Sequence, residues 1–187
     1  MHKNLPRYFY FIDTLKKEHI KNLNKNIAII YRNYNKKLNT NEINLFRKYC
    51  KFNGRKFFIV NDVKLALKLN LDGVYLSSFN KSLKINNYSK RINFIKIGSA
   101  HNLRDIRIKE KQAVDAIFLA SLFKKKKTYL GMEKFKILRN KTKIKIIALG
   151  GIDESNIKKI NLLNVHGFAA ISFFKAQKKT ALKKGPF

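Results

Sequence analysis

Acidic side chains are scarce: eleven Asp and Glu stand against forty-two Lys and Arg in 187 residues, a formal net charge of +31. Charge of that size attracts polyanions with or without a specific site, so non-specific nucleic-acid binding is one expectation. Lys, Asn and Ile are all abundant and Lys far outnumbers Arg, the pattern of drift in an AT-rich genome. Drift does not account for the shortage of Asp and Glu, whose codons are equally AT-compatible, and an electrostatic role stays open. Cysteine is nearly absent: Cys50 alone excludes an intrachain disulfide and a cysteine zinc cluster, and its neighbours Tyr49 and Phe52 suggest core packing. No apolar run is long enough for a secretory signal or a membrane span, the N-terminal one being only Tyr8–Ile12, so a cytoplasmic location is expected. HExxH, Walker A, CxxC and nucleophile-elbow patterns are missing, as is any Pro/Ser-rich linker. What is present, 45% apolar and 12% aromatic residues, fits one domain over residues 1–187.

Short β-branched and aromatic runs recur, each followed by a polar turn and a stretch of helical spacing. They are Tyr8–Ile12, Ile27–Tyr31, Arg55–Val60, Gly73–Leu76, Asn93–Ile97, Ala116–Leu119, Ile144–Leu149 and Gly167–Ile171. Between them, apolar residues three and four apart, such as Phe135 and Leu138, suit helices burying one face. Eight strand–helix units predict an α/β fold, a compact (β/α)₈ TIM barrel. It must be shortened: Lys81–Lys90 leaves room for only a short fourth helix, and Gly185-Pro186 cuts off the eighth, making 175–187 a frayed basic tail.

In such a barrel the chemistry lies where strands lead into helices. Gly150-Gly151 follows the seventh strand, where loops commonly bind phosphate through backbone N–H groups; a plain tight turn is the alternative. Asn61-Asp62 follows the third strand, where the carboxylate suits magnesium and the amide a polar substrate edge, but both are also favoured helix caps. His101 lies after the fifth strand, placed to move protons or merely to precede a helix started by Asn102 and Asp105. His2, His19 and His166 fall in the terminus, a polar helix and the opposite rim.

The order of these pieces resembles the thiamine phosphate synthase and thiazole tautomerase (TenI) superfamily. The resemblance runs from about Ala66 to Phe174: Leu130-Gly131-Met132-Glu133-Lys134-Phe135, then Ile146-Ile147-Ala148-Leu149-Gly150-Gly151-Ile152, then Gly167-Phe168-Ala169-Ala170-Ile171-Ser172. Upstream, Ile59-Val60-Asn61-Asp62 with Asp72-Gly73-Val74-Tyr75-Leu76 is similar to the family's "IND…DGVHL", and Ser99-Ala100-His101 to its "S-x-H".

The resemblance implies a transferase joining a pyrimidine pyrophosphate to a thiazole phosphate. It implies Arg32 on the pyrophosphate, Asn61 and Ser99 on the pyrimidine side, Asp62 on a magnesium ion, and Gly150, Gly151 and Ser172 on the thiazole phosphate. The family's "P-T-x-T-K" loop corresponds to Lys124–Thr128, with Lys127 as its phosphate lysine. His101 matches the tautomerase's proton shuttle. In the "Q-x-R-x-K" clamp, Ile30 and Tyr34 replace glutamine and lysine; Tyr75 replaces the histidine of "GVHL", and Asn80 a second magnesium carboxylate. Two other functions therefore accompany the synthase: an isomerase working through His101, and a barrel that binds phosphate or a polyanion without turnover.

Overall fold

The computed structural model of the chain describes residues 4–35, 39–88 and 92–175. Eight parallel strands close into a barrel in sequence order: β1 (Tyr8–Ile12), β2 (Ile27–Tyr31), β3 (Phe57–Val60), β4 (Gly73–Leu76), β5 (Ile95–Ala100), β6 (Ala116–Leu119), β7 (Lys145–Leu149) and β8 (Gly167–Ala170). Closure is the pairing of β1 with β8, Tyr8 opposite Phe168. Outside run α1 (Thr40–Phe52), α2 (Val63–Lys68), α3 (Leu103–Lys111) and α4 (Gly131–Arg139). Short 3₁₀ segments, Lys17–His19, Lys84–Tyr88 and Ile157–Leu163, stand where other helices would follow β1, β4 and β7. The barrel is thus shortened after β4, as expected. Apart from Lys175, the expected basic tail lies outside the described residues. No helix among the described residues is long and apolar enough to cross a membrane.

Period-two alternation divides the strand side chains between two cores. Phe9, Phe11, Ala28, Ile30, Phe58, Tyr75, Phe118 and Ala169 turn into the barrel, while Tyr10, Ile29, Phe57, Val74 and Ile146 turn out against the helices. Large and small residues share the interior, and its rings meet edge to face, Phe9–Phe118 at 5.1 Å and Phe11–Tyr75 at 5.3 Å. Cys50 is fully buried on α1, and burial pushes its thiol up to about 12, the packing role expected for it.

Several boundaries differ from the sequence pattern. Strand β5 begins at Ile95 and continues through Gly98 and Ser99 to Ala100, so Ser99 belongs to the strand instead of a loop. Arg55 precedes β3; its buried guanidinium donates to the carbonyls of Ile20, Leu23 and Asn24, satisfying a turn that a strand residue would not reach. After β7, Asp153 accepts from Ser155 N–H (3.0 Å) and Asn156 donates to the Gly151 carbonyl (2.8 Å), which holds a loop where a helix was expected to open.

Candidate active site

At the carboxyl ends of the strands lies a cavity of about 320 Å³ whose lining includes Arg32, Tyr75, Ser77, Ser99, His101, Lys124, Gly150, Gly151 and Ser172. They come from six strand ends, those of β2 and β4 to β8, which is how this fold assembles a site.

The β6–β8 side is built from backbone. Phe123 N–H and Lys124 N–H donate to the Gly150 carbonyl (2.8 and 3.3 Å), Leu122 N–H to Leu149 (3.0 Å), and Leu130 N–H to Ser121 (2.9 Å). The Ser121 hydroxyl closes the loop by donating to the Lys124 carbonyl at 2.9 Å. Gly150 and Gly151 have φ of 107° and 76°, a region disfavoured for other residues. A Cβ on Gly150 would sit 2.5 Å from Ser121 Oγ, and one on Gly151 2.4 Å from Lys124 N. The glycine pair is therefore required by the lysine loop packed against it, a constraint separate from the approach of an anion. The N–H groups of Gly150, Gly151 and Ser172 have no protein acceptor among the described residues.

The β2–β4 side is built from side chains. The Arg32 guanidinium lies 4.5 Å from the Phe11 ring centre, and Arg32 N–H donates to Ile12 (2.8 Å). Exposed Tyr34 and Phe79 meet with ring centres 5.4 Å apart at the mouth. Burial of its hydroxyl, followed by the neighbouring Tyr75, pushes Tyr34 up to about 12, so it is neutral where a clamp lysine would be charged. His101 is fixed from both ends: its N–H donates to Asp105 (3.0 Å), and its ring Nδ1 lies 2.6 Å from the Ala120 carbonyl. A carbonyl only accepts, so Nδ1 carries a proton, and in the neutral ring Nε2 is the acceptor.

Asn61 and Asp62 lie behind this wall, not on it. Asn61 adopts φ 57°, and its amide is absorbed by Ser77: Nδ2 donates to Ser77 Oγ (2.9 Å) and Oδ1 accepts from Ser77 N–H (2.9 Å). Its effect on the cavity is to hold Ser77. The Asp62 carboxylate accepts from Leu65 N–H at 2.8 Å as the cap of α2. All eleven carboxylates fall within the described residues, and none lines the cavity. A magnesium ion held by protein needs one or two carboxylates, and this donor set does not fit one. Lys127 is also absent from the lining; Lys124 and Lys126 stand there, because the turn that donates Tyr129 N–H to the Lys126 carbonyl (2.8 Å) sets the loop's register.

Lys109 was not foreseen. It is fully buried, and Nζ donates to the carbonyls of Ser77 (2.8 Å) and Asn80 (2.7 Å) and to Gln112 Oε1 (2.9 Å), stapling the β4 loop to α3. Desolvation lowers its pKa to about 8 against an opposing pull from Asp105. The signal was a lysine on the apolar face shared with Ile106, hidden by the abundance of surface lysine.

A family model described as thiamine monophosphate synthase matches residues 17–174. The chain belongs to this family. Similar relatives include the thiamine-phosphate synthase of Clostridium tetani, 32% identical over 61% of this chain and 57% of that protein. The one from Pyrococcus horikoshii is 30% identical over 67% of this chain and 62% of its own length. These alignments span about three-fifths of the relatives' length. A solved thiamine phosphate pyrophosphorylase from Pyrococcus furiosus superposes with a TM-score of 0.71 at 22% identity, covering 95% of this chain and 93% of its own. FabK from Thermotoga maritima reaches 0.68 at 12% identity over 91% of this chain and 60% of its own, a likeness of fold alone.

Proposed function

We propose that the chain joins a pyrimidine pyrophosphate to a thiazole phosphate, as its family's name suggests. The observation that carries this reading is a single cavity, in a member of that family, lined on unlike sides by backbone N–H groups and cationic side chains. One offers the N–H groups of Gly150, Gly151 and Ser172. The other offers the Arg32 guanidinium, faced across the cavity by Lys124 and Lys126 on the loop beside the glycines. In the reaction the bond between the pyrimidine methylene carbon and pyrophosphate oxygen breaks, the electron pair leaving with pyrophosphate. The thiazole nitrogen then supplies its lone pair to that carbon. Cations around the leaving group stabilise the charge that develops on it, and backbone donors hold the second substrate by its phosphate. Ser99 stands at the cavity floor on the pyrimidine side, and the Tyr34–Phe79 pair gives a planar ring an apolar edge at the mouth.

The fixed tautomer of His101 favours a second reading, proton shuttling at Nε2 in an isomerase of the tautomerase type. One experiment separates the two. Purified protein is given both substrates, with and without magnesium, and thiamine phosphate is followed by mass spectrometry. Product above a protein-free control is expected, and Arg32→Ala should lower kcat/KM by roughly tenfold to a hundredfold. A folded sample that forms none, yet interconverts thiazole carboxylate phosphate isomers in a manner lost in His101→Ala, would replace the synthase with the isomerase.

A further inference from the structure

We infer that this cavity neutralises a pyrophosphate-type ligand with fixed side-chain cations in place of a protein-held divalent metal. The inference rests on the phosphate-binding reading above and adds how the charge is met.

Five of the eleven carboxylates are committed to backbone N–H groups. Asp62, Asp72, Asp105, Asp115 and Asp153 each accept a backbone N–H, from Leu65, Phe57, His101, Lys96 and Ser155. Asp13, directly after β1, lines a separate pocket with Glu42, while Asp62 and Asp105 are used to cap a helix or fix its approach. Asn80, at the end of the β4 loop, offers an amide that donates to Asn61 Oδ1 (3.3 Å), with Lys109 directly on its carbonyl. A divalent ion entering here meets neutral amides and ammonium groups, which repel it without a carboxylate to offset them.

The cations, by contrast, are positioned. Lys124 and Lys126 sit on a loop fastened at both ends to Ser121 and at its middle to Gly150, so their stems start from fixed points although their heads are exposed. Arg32 lies on the Phe11 ring across the cavity. Lysine and arginine bring their charge without coordination geometry, so they can meet a leaving pyrophosphate directly.

Calorimetric titration with inorganic pyrophosphate at constant ionic strength, in excess EDTA and again in excess magnesium, tests this. The expected result is saturable binding in EDTA that magnesium leaves unchanged or weakens, since chelation lowers the ligand's charge. Lys124→Ala/Lys126→Ala should weaken it about tenfold or more, and magnesium should not restore it. Lys25→Ala/Lys158→Ala, which removes lysines beside Tyr8 at the opposite end of the barrel, serves as the charge control. Binding that appears only with magnesium, or tightens about tenfold with it, overturns the inference and leaves the phosphate site standing. Equal losses in the two double variants reduce the effect to general charge and also overturn it. A folded protein that binds pyrophosphate under neither condition removes the phosphate reading itself.

Discussion

The β6–β8 side of the cavity and the β2–β4 side face the same volume, yet one is held chiefly by main-chain hydrogen bonds and the other by side chains that bond its backbone and one another. Gly150 and the lysine loop are joined carbonyl to N–H, so that geometry survives exchange of most side chains around it. Across the cavity, Ser77 is held largely by the side chains of Asn61 and Lys109. Of the departures from the family pattern, Ile30, Tyr34, Tyr75 and Asn80 fall on the second side; on the first, the "P-T-x-T-K" loop has become Lys124–Thr128 with main-chain bonds to Ser121 and Gly150 holding it. Recognition by backbone tolerates drift in composition, whereas recognition by side chains has to be rebuilt residue by residue.

The comparison breaks most readily at Gly151. Gly151→Val forces a β-branched residue to a positive φ and drives its Cβ into Lys124 N, together a loss of about 3 kcal/mol. Chemical denaturation should show that loss, and phosphate titration should show binding gone, because the lysine loop is displaced along with the N–H donors. An unchanged denaturation midpoint would mean that the loop does not depend on the glycine.

On the opposite side, Lys109→Met leaves the Ser77 and Asn80 carbonyls and Gln112 Oε1 without their shared donor, costing about 2 kcal/mol. Inorganic phosphate affinity should survive, since the backbone side is untouched. The variant also has a pH signature. The buried amine titrates at about 8 in the folded protein against 10.5 for an ordinary lysine. Below pH 8 both states are protonated; between the two values the unfolded chain binds more protons, so this group makes folding more favourable as pH rises. Wild type should therefore gain stability relative to Lys109→Met between pH 8 and about 10. A constant difference across that window would show that Lys109 keeps its ordinary pKa.

The smallest expected effect is at Asp62. Asp62→Ala removes the α2 cap and should cost about 1 kcal/mol, read as a small fall in Tm. A stable variant with no change would place the cap elsewhere.

The strands were legible because each is a short β-branched or aromatic run with a polar end: five of the eight begin at the expected residue, Tyr8, Ile27, Gly73, Ala116 and Gly167. Strand β5 slipped because Gly98 and Ser99 look like a turn locally, and only pairing with Ile117 and Phe118 makes them strand. At the site, Arg32, Ser99, His101, Gly150, Gly151 and Ser172 were picked out by position and do line one cavity. Lys127 does not line it, whereas Lys124 and Lys126 do, because a run of four lysines carries no register of its own and the loop's hydrogen bonds supply it. Asn61 and Asp62 were legible as a polar pair, but whether such a pair faces a ligand or a helix end depends on φ at Asn61, which sequence does not display. Lys109 was invisible for a related reason: burial of a lysine depends on three acceptors contributed by residues far away or on the next turn.

The aromatic packing inside the barrel sets the traffic of the site. Phe9, Phe58 and Phe118 stop the axis below Phe11 and Tyr75, so the cavity is a blind alley with its doorway beside Tyr34 and Phe79. Whatever enters must leave by the way it came.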